Sequence, residues 1–204
     1  LVDDIQLTAT EMPAPIGNLS NPFKGVFKGQ GHAIKGFTFS NTEENNVGLF
    51  GMTNAATIQD VMLKGANVNG NANAGGIVGN AQNYSLIQNC AVIDSYVEGR
   101  DHVASIVAHA QDSTVIKNNF SNSEVVSRQY QAGGMVGTIL LAVVEKNLFT
   151  GKVTCKNSGM ASGLVSRIDA VVTPAPIVRN NLVAATEVNG GETYTLIKAD
   201  WSDR

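Results

Sequence analysis

Five short apolar blocks recur along this chain: Gly48-Leu49-Phe50-Gly51, Gly76-Ile77-Val78-Gly79, Ser105-Ile106-Val107-Ala108, Gly134-Met135-Val136-Gly137 and Gly163-Leu164-Val165-Ser166. Successive blocks are 28, 29, 29 and 29 residues apart. A fixed period of this size marks a repeat architecture, in which each unit buries its apolar residues only by stacking on its neighbours. Such an array is a scaffold or binding surface first.

Each block is followed by a polar stretch and a second apolar segment ending in Asn or Asp: Ile58-Gln59-Asp60, Ile87-Gln88-Asn89, Ile116-Lys117-Asn118 and Val178-Arg179-Asn180. The fourth unit, Val144-Glu145-Lys146-Asn147, fits only with a shift of one residue. A Val follows in every unit, at Val68, Val97, Val126, Val153 and Val188, before a loop rich in Gly, Asn and Ser. These apolar runs are too short for helices, and their flanking residues favour turns. Each unit therefore reads as three short strands.

The expected fold is all-β: a right-handed parallel β-helix with coils of 28–29 residues, the hand that parallel crossovers favour. Leu49, Ile77, Ile106, Met135 and Leu164 then form one buried ladder, and Phe50, Val78, Val107, Val136 and Val165 the next. Asp60, Asn89, Asn118 and Asn180 are expected to stack at a corner. The rival is an antiparallel sandwich of short strands, disfavoured by the near-constant unit length. Residues 1–22 read as an N-terminal cap, 23–188 as repeats with coils starting near 48, 76, 105, 134 and 163, and 189–204 as a C-terminal cap. In that last segment, Tyr194-Thr195-Leu196-Ile197 is expected to add a strand and Trp201 to cover the final rung.

The repeats resemble the GLUG motif family, whose name describes glycine-hydrophobic-glycine blocks such as Gly48-Leu49-Phe50-Gly51. The segment at 23–36, with Phe23, Gly25, Phe27, Gly29, Gly31, His32, Ile34 and Gly36, resembles the motif that often leads into such repeats. The third block departs from the pattern, with Ser105 and Ala108 in place of glycines. The resemblance implies a bacterial surface-exposed or secreted protein, adhesin-like, or a repeat region lying outside the zinc-peptidase domain of immunoglobulin A1-specific metallopeptidases. The His-Glu-x-x-His motif of those peptidases is absent, so no peptidase residue carries over.

Charged residues make up 15% of the 204 and the net charge is −3, which offers no electrostatic footprint for nucleic acid. No apolar run approaches the ~20 residues of a membrane-spanning helix, so no membrane insertion is expected. The chain starts at Leu1, without Met or a signal-like segment, and reads as part of a longer polypeptide. Cys90 and Cys155 fall two rungs apart and read as free thiols.

Candidate chemistry is sparse. His32 reads as a turn residue, and His102 and His109 fall on different parts of one coil without partners at metal-ligand spacing. No metal or cofactor is expected. Asp94 and Glu124 align with Ser123 and Ser95 and would be diagonal neighbours, the only hint of the carboxylate pair that glycoside hydrolysis needs. Lys152, one rung on, makes a surface ion pair with Glu124 the stronger reading. No catalytic residue is assigned. The loops at 98–102 and 127–131 stand out because they put Arg100, His102, Arg128 and Tyr130 on adjacent rungs, where other turns carry Asn, Ser and Gly. Arg forks and an aromatic face suit a host glycan or protein.

The expected function is therefore a non-catalytic, extracellular or cell-surface binding module or spacer. The alternative is an accessory region of a secreted peptidase or polysaccharide-degrading enzyme whose catalytic domain lies elsewhere.

Overall fold

The computed structural model describes residues 1–7, 14–169 and 175–199, and the chain is a parallel β-helix. Five sheets of seven, six, six, six and five strands run along the stack, and every strand pair among the described residues is parallel. One coil comprises Phe50–Asn54, Thr57–Gln59, Met62–Lys64, Asn67–Asn69 and Ala74–Gly75. The coil thus has five strands where the sequence indicated three. The Met62–Lys64 strand follows Thr57–Gln59 across the left-handed Asp60, and Ala74–Gly75 consists of two small residues, so neither stands apart as a separate block in the sequence.

Five corners turn on left-handed residues. Asp60, Asn89, Asn118, Lys146 and Asn180 have φ of 56°, 53°, 56°, 56° and 56°. Asn and Asp tolerate this conformation because their short polar side chains bond locally. Asn89 Nδ2 donates to Asp60 Oδ1 at 3.0 Å, the expected stacking of side chains at the corner. In the fourth coil Lys146 takes the corner. Asn147 instead joins a second, inward column with Asn119 and Asn181.

That inward column carries its own hydrogen bonds. Asn119 Nδ2 donates to Ile87 O at 3.1 Å and to Asn147 Oδ1 at 3.0 Å. Asn147 Nδ2 donates to Ile116 O and Asn181 Oδ1, both at 3.0 Å. Cys90 takes the same place one rung earlier, where its N–H donates to Asn119 Oδ1 at 2.9 Å. Both cysteines are buried free thiols, and burial pushes Cys90 up to about 12.

The two apolar ladders are as expected. Val78 pairs in register with Phe50 and Val107, and Val136 with Val107 and Val165. Ile77, Ile106 and Met135 are fully buried, and Leu49 and Leu164 nearly so. The column of valines needs one correction: Val97 pairs with Val125, not Val126. The loop before it is shorter by one residue, so Ser95 lies 28 residues from its partner where most columns repeat at 29. An insertion later lengthens the repeat to 34 residues between Glu145 and Arg179.

Close approach explains the glycines in the blocks. A Cβ at Gly76 would lie 2.2 Å from Ser105 O, and one at Gly134 2.1 Å from Gly163 O. Ser105 occupies this position in the third coil and donates its hydroxyl to Gly134 O.

Val26–Lys28, Ala33–Lys35 and Thr38–Ser40 pair in parallel with the first repeat, so the leading motif is itself a rung. Ile16 and Phe23 bridge to Phe50 and Thr53. The Phe23 and Phe27 rings pack on Phe50 at centroid distances of 5.1 and 5.3 Å. At the other end, Glu192–Tyr194 and Ile197–Ala199 add strands to two sheets. Core side chains become more accessible there, with Leu196 49% exposed. Trp201 lies outside the described residues.

Candidate functional site

The loops carrying Arg100 and Arg128 stack directly. The Arg128 N–H donates to Gly99 O at 2.8 Å, and the N–H groups of Gln129 and Tyr130 donate to Arg100 O at 3.1 and 3.2 Å. The four side chains then diverge. Arg100 is exposed, with Nη2 2.8 Å from its neighbour Asp101. Tyr130 is 51% exposed. Arg128 is committed to the scaffold: Nη1 donates to Asn69 Oδ1 at 2.8 Å and Nη2 to Gly70 O at 2.6 Å, two rungs away.

Glu98 lies beside Arg128 and accepts from Lys156 Nζ at 2.7 Å and from the Tyr96 hydroxyl at 3.1 Å. Burial alone would raise the Glu98 carboxyl, but the bonds from Lys156 and Tyr96 and the charges of Lys156 and Arg128 hold it below its ordinary 4.5. Burial and the Glu98 charge push Tyr96 up to about 12. Tyr96, Glu98, Arg128 and Lys156 thus clamp successive rungs together. Of the four candidate side chains, Arg100 and Tyr130 are the exposed ones.

His102 sits in a different environment. Its Nδ1 lies 2.7 Å from Thr138 Oγ1 and 3.2 Å from Gln131 Oε1, and the Thr138 hydroxyl donates to the same Gln131 oxygen at 2.9 Å. The His109 ring lies beside it, with centroids 5.7 Å apart. Burial lowers both histidines, and burial with the neighbouring His102 brings His109 down to about 4. This pairing was not legible as a site, because His102 and His109 belong to different sheets. The one available signal was repeat arithmetic: Gln131 stands 29 residues after His102.

Asp94 and Glu124 do not align with Ser123 and Ser95, the register that would have made them diagonal neighbours. The short loop moves Asp94 into line with Asn122, whose Nδ2 donates to it at 2.9 Å, and Glu124 into register with Tyr96. Lys152 is in register with Glu124, but its ammonium pairs with Glu187 at 2.6 Å. Among the described residues no group of three or more His, Cys, Asp or Glu is placed to hold a metal ion, and no helix is long and apolar enough to cross a membrane.

Two adjoining clefts, of about 340 and 210 Å³, lie near the N-terminal end, away from Arg100 and Tyr130. They share Asn18, Glu44 and Asn46. Two of the amides there are already used: Asn18 Oδ1 accepts from the Ser20 and Asn21 N–H groups, and Asn46 Oδ1 from Asn73.

The fold places the chain among parallel β-helix repeat proteins. It superposes on a crystal structure described as "a putative immunoglobulin A1 protease from Bacteroides ovatus", with a TM-score of 0.58 over 97% of this chain and 76% of that one, at 14% identity. This likeness is one of fold. A "Putative Gly-rich membrane protein" of Evansella cellulosilytica is 36% identical over 101 residues, 45% of this chain. The match spans only 12% of that protein's length. No protein-family model matches the chain, so the GLUG resemblance rests on the repeats themselves.

Proposed function

We propose that the chain is a non-catalytic β-helix segment of a bacterial surface or secreted protein of the GLUG type, acting as a binding module or spacer. One observation carries this reading most: several of the acids and bases that could serve catalysis tie rungs together instead. Arg128, Lys156 and Glu98 bond across rungs, and Asp94 is held by Asn122. A rod locked in this way presents its loops at fixed spacing, which lowers the ordering cost of binding. The membrane description of the Evansella protein supports a surface setting.

The contact area in this reading is the stacked loops at 98–102 and 127–131, facing a host glycan or protein through Arg100 and Tyr130. A glycan array and a host-protein binding screen test it, using the wild type and an Arg100→Ala/Tyr130→Ala variant that leaves the Arg128 contacts intact. Loss of binding in the variant is expected. A ligand bound equally by both proteins removes the patch, and binding by neither favours a spacer.

A second reading, favoured by the fold of the Bacteroides ovatus protein, is an accessory region of an immunoglobulin A1-type metallopeptidase. A His-Glu-x-x-His motif in the flanking polypeptide would support it.

A further inference from the structure

His102 and His109 stand side by side at the angle between two sheets, and the hydrogen bonds around them define which ring nitrogen is free. The Thr138 hydroxyl gives its proton to Gln131 Oε1, so toward His102 both Thr138 Oγ1 and Gln131 Oε1 are acceptors. His102 Nδ1 therefore carries the proton, and the neutral ring keeps its lone pair on Nε2. Metal-ligating histidines are commonly oriented in this manner, by a partner that takes the N–H of the other ring nitrogen. His109 has no side-chain hydrogen bond among the described residues. In register with it on the preceding rung is Asn80, whose Oδ1 is buried and without a hydrogen-bond partner.

The separation fits a shared ion. With metal–nitrogen bonds of about 2.0–2.1 Å, an ion lies roughly 3.2 Å from each ring centre. Centroids 5.7 Å apart then subtend an angle of about 125° at an ion placed on the lone-pair axes of both rings, compared with ~109° for a regular tetrahedron. Burial keeps both imidazoles neutral, as metal binding requires. The charged groups acting on the pair are Asp101, Asp112, Arg167 and Asp169. Asp169 is engaged by Arg167 at 2.6 Å.

We propose that His102 and His109 form a two-histidine site for a borderline divalent transition metal ion of the zinc, nickel or copper class, with the Asn80 carbonyl and water completing the shell. Imidazole donors select this class over Mg²⁺ and Ca²⁺, which prefer shells of oxygen.

The test is calorimetric titration of the untagged chain with Zn²⁺ at pH 7.5, with Mg²⁺ as control. One equivalent of Zn²⁺ is expected to bind, with no response to Mg²⁺. His102→Asn and His109→Asn should each weaken binding by at least about tenfold, and Thr138→Val, which removes the shorter of the two Nδ1 contacts and leaves Gln131 Oε1, by a smaller factor. His32→Asn, at the remaining histidine, should change nothing. Far-UV circular dichroism checks that each variant is folded. Nitrogen-15 spectra of the wild type provide a readout independent of mutation: metal-free His102 should be the Nδ1–H tautomer, and Zn²⁺ should shift its Nε2 resonance. Absence of Zn²⁺ binding, binding retained in both histidine variants, or an unshifted Nε2 would overturn the proposal.

Discussion

Ile106→Ala tests the stacking directly. Ile106 is fully buried, between Ile77 and Met135 in its ladder. The substitution removes three carbons, a transfer loss of about 2.4 kcal/mol at ~0.8 kcal/mol each. A cavity contribution adds to this, and measured Ile→Ala losses in cores span about 2–5 kcal/mol depending on how far the site collapses. Collapse is restricted here. Ile77 N donates to Ile106 O and Ile106 N to Met135 O, both at 3.2 Å, so the rungs are held at ladder spacing. The expected loss is therefore about 4 kcal/mol, near the upper end. Leu196 holds the same place on the final rung but is 49% exposed. Leu196→Ala should cost about 1 kcal/mol, since half of its burial is already missing. Leu164 is not a terminal position, because the Leu196 rung lies beyond it. Urea denaturation followed by far-UV circular dichroism measures both variants. Equal losses at the two positions would refute the argument that paired neighbours on both sides make the core.

Asn147→Leu should cost about 3 kcal/mol or more, because it strips partners from Ile116 O, Asn181 Oδ1 and the Asn119 amides, and a buried unsatisfied group costs about 1–3 kcal/mol. A urea-measured loss below about 1 kcal/mol would contradict the role given to the inward Asn column. For pH, His109 is depressed from 6.5 to about 4 by burial and by the neighbouring His102, so between those values the unfolded chain binds the extra proton and stability falls as pH falls. His109→Gln should flatten urea midpoints across that window, and an unchanged slope would count against the burial. Glu98 is depressed below its ordinary 4.5, so its contribution is complete above that value and is lost as pH falls through the folded value. Glu98→Gln should therefore flatten only the acid limb below about 4.5.

The period, the parallel stack and the two main ladders could be read from the residues. Stacking places like on like, so a column such as Val78, Val107, Val136 and Val165 is written into the chain at nearly constant intervals. The corner role of Asp60, Asn89, Asn118 and Asn180 was legible for the same reason, since few residues accept a left-handed backbone. Registration by a constant period failed where a loop changed length by one residue. That change moved Val125 into the ladder and separated Asp94 and Glu124 from their presumed partners. It also could not tell Lys146 at the corner from Asn147 inside it, because either fits the local pattern and only the hydrogen-bonding needs of the adjacent rungs decide.

The candidate sites depended still more on tertiary structure. Exposed Arg100 and Tyr130 and committed Arg128 look alike in sequence. They differ because Arg128 reaches carbonyls two rungs away and Arg100 meets its neighbour Asp101. His102 and His109 are seven residues apart on separate sheets, and only the angle between those sheets brings their rings to 5.7 Å. Repetition along the chain encodes contacts between equivalent positions. Contacts between unlike positions depend on where each coil bends, and the bends come from packing of the whole stack.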